Sequence, residues 1–271
     1  MPSEFQVITS AQNPRVKNLV RLREARHRRR SGYFLIEGER EVERALVARW
    51  TLTSLFFAPE LFRAPATMDL VESAAERDVE TIQLAPEAFA KAAYREGPDG
   101  ILALAPARSH ALEDLAPRSP ALLLVVAGVE KPGNLGALMR TANAAGADAL
   151  IACDPVCDLY NPHAIRASQG AFFDLPLAAA EGEGVRRWLG ERGITAVTTS
   201  PGAPQTLWET DFTRPLALVV GAENTGLDKA WLENASEPVG LPMAGLTDSL
   251  NVSVAAGIAL FEAVRQRTPR G

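Results

Sequence analysis

The stretch Ala121-Leu-Leu-Leu-Val-Val-Ala-Gly-Val-Glu-Lys-Pro-Gly-Asn-Leu-Gly-Ala-Leu-Met-Arg140 decides the fold. Seven aliphatic residues in a row, Ala121–Ala127, read as a strand buried on both faces, since a strand with one wet face would alternate apolar and polar residues. Glycines and a proline break the run, and apolar residues resume at helical spacing over Leu135–Ala145. The same alternation continues downstream. Strands are expected at Ala149–Ala152, Leu175–Ala179, Ile194–Thr198, Leu216–Gly221 and Val239–Leu241. Helices are expected at Ala164–Ser168, Gly184–Gly190, Asp228–Asn234 and Val252–Gln266. Apolar strands separated by helices imply an α/β domain with a mostly parallel sheet covered on both faces.

Upstream, Asn13-Pro14 reads as a helix start, with Asn as cap and proline in the first turn, where a missing N–H is harmless. Strands at Tyr33–Ile36, Leu52–Ala58, Val79–Leu84 and Gly100–Ala105 then alternate with helices after Glu37-Gly38, at Met68–Arg77 and at Pro86–Ala93. This predicts a smaller α/β domain over residues 1–105. Residues 106–120 carry three prolines and weak periodicity, which suits a linker to a second domain over 121–271.

A chain of 271 residues suits one large or two modest domains, and 47% hydrophobic with 23% charged residues excludes a largely disordered one. No apolar run is long enough to span a bilayer and the N-terminus has no signal pattern, so a cytoplasmic protein without a membrane partner is expected. Cys153 and Cys157 read as inert thiols, His27, His110 and His163 as noncatalytic, and no metal site is expected. The net charge of -5 conceals an asymmetry: Arg15, Lys17, Arg21, Arg23, Arg26, Arg28, Arg29 and Arg30 face only Glu24 within sixteen residues. Such an arm suits a polyanion, because each neutralised phosphate releases condensed counterions; the alternative is a solvated helix face.

In open parallel sheets ligands collect beyond the carboxyl ends of the strands. Three polar, glycine-bearing clusters fall there: Val129–Arg140, Leu218–Leu227 and Leu241–Ser253. The first lacks both the G-x-G-x-x-G spacing of a dinucleotide site and the G-K-[ST] ending of a phosphate loop. Each cluster alone reads as a turn or a helix cap. Together they set Asn134, Arg140, Glu223, Ser249 and Asn251 at strand-to-helix junctions of one sheet.

G-N-L-G-A-L-M-R-T-A, L-V-V-G-A-E-N-T-G-L and L-P-M-A-G-L-T-D-S-L-N-V-S-V-A-A-G resemble, in order, the three motifs of the SpoU (TrmH) branch of the SPOUT RNA methyltransferases, over roughly residues 121–267. The segment F-L-I-E-G-E-R-E-V-E-R-A-L is similar to the L30e-like substrate-binding domain that precedes the catalytic domain in ribosomal RNA members. The resemblance implies 2′-O-methylation of a ribose, in 23S ribosomal RNA, with S-adenosylmethionine, by a homodimer whose C-terminal segment forms a deep trefoil knot. It implies cofactor contacts from Thr199, Gly221, Leu241, Met243, Ser249 and Leu250. It makes Arg140 the central catalytic side chain, oriented with Asn134, Glu223 and Asn251. RNA docking is expected from the N-terminal domain with Arg15, Lys17, Arg21, Arg26, Arg28, Arg29 and Arg30. Three alternatives stand beside this: a transfer RNA methyltransferase, a noncatalytic RNA-binding or ribosome-assembly protein on the same fold, and a dinucleotide-dependent enzyme, which the glycine spacing disfavours.

Overall fold

The computed structural model describes residues 5–223, 225–233 and 236–269. Asn224 of the second polar cluster and Asn234, the expected end of a helix, lie outside the described residues. The chain divides into two units, one comprising residues up to Arg108 with Asp158–Phe173, the other Ser109–Cys157 with the chain from Asp174.

In the first unit, β1 (Gln6–Ile8), α1 (Pro14–Arg21), α2 (Ala25–Ser31), β2 (Tyr33–Glu37), α3 (Glu39–Val47), β3 (Ser54–Phe57), α4 (Thr67–Ala75), β4 (Glu80–Leu84), α5 (Pro86–Ala92) and β5 (Ile101–Pro106) follow one another. The sheet order is β1-β4-β3-β5-β2, with β5 antiparallel to both its neighbours. Asn13 caps α1, its Oδ1 accepting from the Arg15 N–H at 2.9 Å, and Pro14 fills the first turn. Val16 and Leu19 of α1 pack into one apolar cluster with Leu35, Phe56, Ile82 and Phe89, which turns the cations of this helix away from the core.

Two stretches differ from the sequence expectation. Leu112 and Leu115, inside the expected linker 106–120, are buried in the core of the second unit. Residues 158–173, expected in the catalytic half, belong to the first unit. Arg28 holds this segment, donating from Nε and Nη2 to Asp158 Oδ2 at 2.9 and 2.6 Å, and Trp50 Nε1 donates to the Phe173 carbonyl at 3.0 Å. The rings of Phe34, Trp50, Tyr160 and Phe172 pack around these contacts, with Phe34 4.5 Å from Tyr160 and Trp50 5.4 Å from Phe172. Periodicity cannot show which core a short helix joins, because α7 (Pro162–Ala167) and α8 (Ala171–Asp174) carry the same apolar signal wherever they pack.

The second unit contains β6 (Leu122–Ala127), α6 (Pro132–Ala144), β7 (Ala149–Cys153), β8 (Leu177–Ala180), α9 (Gly182–Glu191), β9 (Thr195–Thr199), β10 (Gln205–Thr206), β11 (Leu216–Val220), α10 (Lys229–Glu233), β12 (Ser236–Gly240) and α11 (Val252–Arg267). Its seven strands are all parallel in the order β10-β12-β9-β11-β6-β7-β8. Every residue of β6 and of β11 is buried, as unbroken aliphatic runs require at the centre of a two-sided sheet. Because all strands run the same way, the ends of β6, β9, β11 and β12 open on one side, where the polar clusters follow.

Candidate active site

β11 ends at Val220, and Gly221 begins a turn so tight that only glycine fits. A Cβ there would lie 2.4 Å from the Gly226 carbonyl carbon and 2.6 Å from Leu227 N. The turn is closed by the Gly226 N–H, which donates to the Ala222 carbonyl at 2.9 Å. Beyond it lies a cavity of about 670 Å³, lined by the ends of β9, β11 and β12 and by the chain leading into α11. That volume falls in the usual range for small-molecule sites, about 300–1,000 Å³. All six residues expected to hold the cofactor, Thr199, Gly221, Leu241, Met243, Ser249 and Leu250, line this one cavity, and so do Glu223 and Asn251.

Asn251 caps α11. Its Oδ1 accepts from the Ser253 N–H at 3.0 Å and from Ser253 Oγ at 2.6 Å, which fixes the orientation of the amide. Nδ2 is thereby left for Asn134 Oδ1 at 3.3 Å and approaches Glu223 Oε1 at 3.5 Å. The other carboxylate oxygen, Glu223 Oε2, accepts from Lys131 Nζ at the head of α6. Side chains from all three polar clusters therefore converge.

Arg140 stands outside this network. It is exposed on α6, and its side chain makes no hydrogen bond or ion pair among the described residues. Six positions separate it from Asn134, about 9 Å along the helix axis.

The basic arm is less uniform than its sequence. Lys17, Arg21, Arg26, Arg29 and Arg30 are exposed, while Arg15 pairs with Glu80 at 2.8 Å. Arg28, expected to face RNA, is instead 4% exposed and bound to Asp158 and to the carbonyls of Leu22 and Arg23, both at 2.8 Å. It is a structural arginine, because its donors are spent inside the first unit. Arg23 is likewise anchored, donating to the Lys91 carbonyl at 2.7 Å and to that of Ala93.

Cys153 is buried, and burial together with the neighbouring Asp154 carboxylate pushes its thiol up to about 12, so it carries no thiolate at neutral pH. Among the described residues, no group of three or more His, Cys, Asp or Glu side chains could hold a metal ion. Lys131 lies inside the first polar cluster, yet nothing in its local sequence marks it as part of a site. Its partner is 92 positions away, and no local pattern announces such a pair.

Residues 121–261 match the family model described as the SpoU rRNA Methylase family. The chain belongs to this family. Within the first unit, residues 13–103 match the MRM3-like substrate binding domain that accompanies this SpoU methylase. A 23S rRNA (guanosine(2553)-2'-O)-methyltransferase of Bacillus subtilis is 32% identical to the SpoU methylase described here, over 94% of this chain and 97% of its own length. The crystal structure of an RNA 2'-O ribose methyltransferase matches with a TM-score of 0.84 at 41% identity, covering 97% of this chain and 99% of that one. The AdoMet-bound rRNA methyltransferase from Sinorhizobium meliloti matches with a TM-score of 0.89 at 28% identity, covering 98% and 99%. The family implied by the three motifs is the family matched.

Proposed function

We propose that this SpoU methylase transfers a methyl group from S-adenosylmethionine to the 2′-hydroxyl of a ribose in 23S ribosomal RNA. One observation carries the reading: a single cavity at the carboxyl ends of parallel strands, with Glu223 and Asn251 on its wall and Asn134 within reach of Asn251. The Bacillus subtilis relative is named for this reaction, and the Sinorhizobium meliloti structure holds AdoMet in the same fold.

The walls fit the cofactor. Val220, Leu227, Leu241, Met243 and Leu250 offer aliphatic surface for a flat ring, and Thr199 and Ser249 add hydroxyls. When bound, the sulfonium supplies an electrophilic methyl group. The chain's task is then to align a ribose hydroxyl and to handle its proton. Asn134, Glu223 and Asn251 orient that hydroxyl. Arg140, whose guanidinium has no partner within the described chain, anchors a backbone phosphate and stabilises negative charge developing on the 2′-oxygen. An arginine keeps its proton, so this role suits it better than that of a base.

The first unit docks the RNA through Lys17, Arg21, Arg26, Arg29 and Arg30, with Arg15 beside Glu80. A second copy of the chain completes the particle. Its support is an apolar stripe on α11, where Val254 is 50% and Phe261 49% exposed with Ile258 between them on one helical face. Membership of the family, together with a strand order that sets β12 outside β9 and β11 between β9 and β6, supports a trefoil knot. Action on ribosomal RNA supports a cytoplasmic location.

The test is transfer of labelled methyl groups to 23S rRNA and transfer RNA transcripts, with cofactor binding measured by calorimetry. Label at a ribose of 23S rRNA is expected. Label confined to transfer RNA would move the substrate, and no affinity for the cofactor would leave a noncatalytic RNA-binding protein.

A further inference from the structure

The carboxylate of Glu223 divides between two neighbours. Oε1 approaches the Asn251 amide at 3.5 Å, while Oε2 accepts from Lys131 Nζ. Lys131 and Asn134 sit on the same turn at the head of α6, where the Asn134 N–H donates to the Lys131 carbonyl at 3.1 Å. The contacts therefore close into a ring, Lys131 to Glu223 to Asn251 to Asn134 and back. The ring joins the turn after β6, the turn after β11 and the cap of α11. A small cavity of about 20 Å³ between the first two turns is lined by Val129, Glu130, Lys131, Asn134, Ala222 and Glu223, so both members of the pair border it.

We infer that Lys131 is a positioning residue for methyl transfer and acts through Glu223; the inference rests on the methyl-transfer reading of the adjoining cavity. Without the ammonium, Glu223 keeps only its long contact to Asn251 and regains free rotamers. A bare carboxylate would also face the phosphates of an incoming RNA, and the lysine cancels that charge locally. The Lys131 side chain is 68% exposed against 22% for Glu223, so the pair lies at the protein surface. Exposed pairs contribute little to folding, so the pair's value lies in holding the carboxylate rather than in stability.

The experiment compares Lys131→Ala, Lys131→Arg, Glu223→Gln and the double variant Lys131→Ala/Glu223→Gln in steady-state and single-turnover methylation of 23S rRNA transcripts, with cofactor affinity measured separately. Lys131→Ala is expected to lower kcat about 10-fold or more, while KM for RNA and the cofactor Kd stay within about 2-fold. Lys131→Arg should recover most of kcat. In the Glu223→Gln background, removing Lys131 should change the rate by less than about 2-fold, because the two residues act as one unit. Wild-type kcat in Lys131→Ala, a loss confined to KM for RNA, or effects that multiply in the double variant would each overturn the inference. A wild-type protein with no transfer activity would overturn the methyl-transfer reading together with it, whereas an active wild type with an unaffected Lys131→Ala overturns this inference alone.

Discussion

Asn251 Nδ2 lies 3.3 Å from Asn134 Oδ1, across 117 positions of chain. Asn251 is the cap of α11, and Asn134 lies in the first turn of α6. Their approach turns two local features into one site.

The two duties of Asn251 can be separated. Asn251→Asp keeps an oxygen for the Ser253 N–H, but it removes the Nδ2 donor and sets a second carboxylate beside Glu223. Methylation is expected to fall about 10-fold or more while the unfolding midpoint stays near wild type. Asn251→Ala should lose activity and about 1 kcal/mol of stability as well, from the missing cap. Urea unfolding alongside rate measurements checks both.

Arg140→Ala removes an exposed guanidinium without touching the core. Single-turnover methylation should drop about 100-fold with cofactor affinity unchanged, as for other groups that stabilise charge in a transition state. A near-normal rate would strip the arginine of its role.

Gly221→Ala forces a methyl group to within 2.4 Å of the Gly226 carbonyl carbon. The turn must open, at a cost of about 1–3 kcal/mol, and the cavity wall shifts with it. Calorimetry should show cofactor affinity reduced about 10-fold or more, together with a lower melting temperature.

Charge reversal at Lys17, Arg21, Arg26 and Arg29 should weaken RNA binding and flatten its dependence on salt, with cofactor affinity intact. Arg28→Ala should behave differently. It removes a buried guanidinium together with its hydrogen bonds to Asp158, Leu22 and Arg23, and is expected to destabilise the protein by about 3 kcal/mol, seen in urea unfolding rather than in the salt slope.

Glu262 accepts from Arg265 at 2.7 and 2.6 Å and from Gln266 at 2.8 Å. These hydrogen bonds, the Arg265 one foremost, hold its carboxyl down to about 2 from an ordinary 4.5. The folded state thus binds this proton less readily than the unfolded chain does. Its stabilising contribution is full above pH 4.5 and disappears as the pH falls towards 2. Urea midpoints of wild type should fall more steeply across that window than those of Glu262→Gln.

Much of the fold was legible because its signals are local. The aliphatic runs Leu122–Ala127 and Leu216–Val220 read as strands buried on both faces, and Asn13-Pro14 reads as a helix start, as the structure has them. Thr199, Gly221, Leu241, Met243, Ser249 and Leu250, which the family resemblance and not the local pattern singled out, share one cavity in the folded chain. Arg28 was misread because charge in a sequence carries no information on burial; only the fold shows Asp158 opposite it.

The amino-acid order alone determined the strand and helix alternation, the two-part organisation and the three motifs, each of which depends on residues within a few positions of one another. Tertiary structure alone decided that residues 158–173 pack with the first unit, that Arg28 is withdrawn from the surface, and that Lys131 and Glu223 meet. Such contacts join segments far apart in the chain, and their energy depends on the distances that the parallel sheet imposes on its loops rather than on any pattern along the backbone.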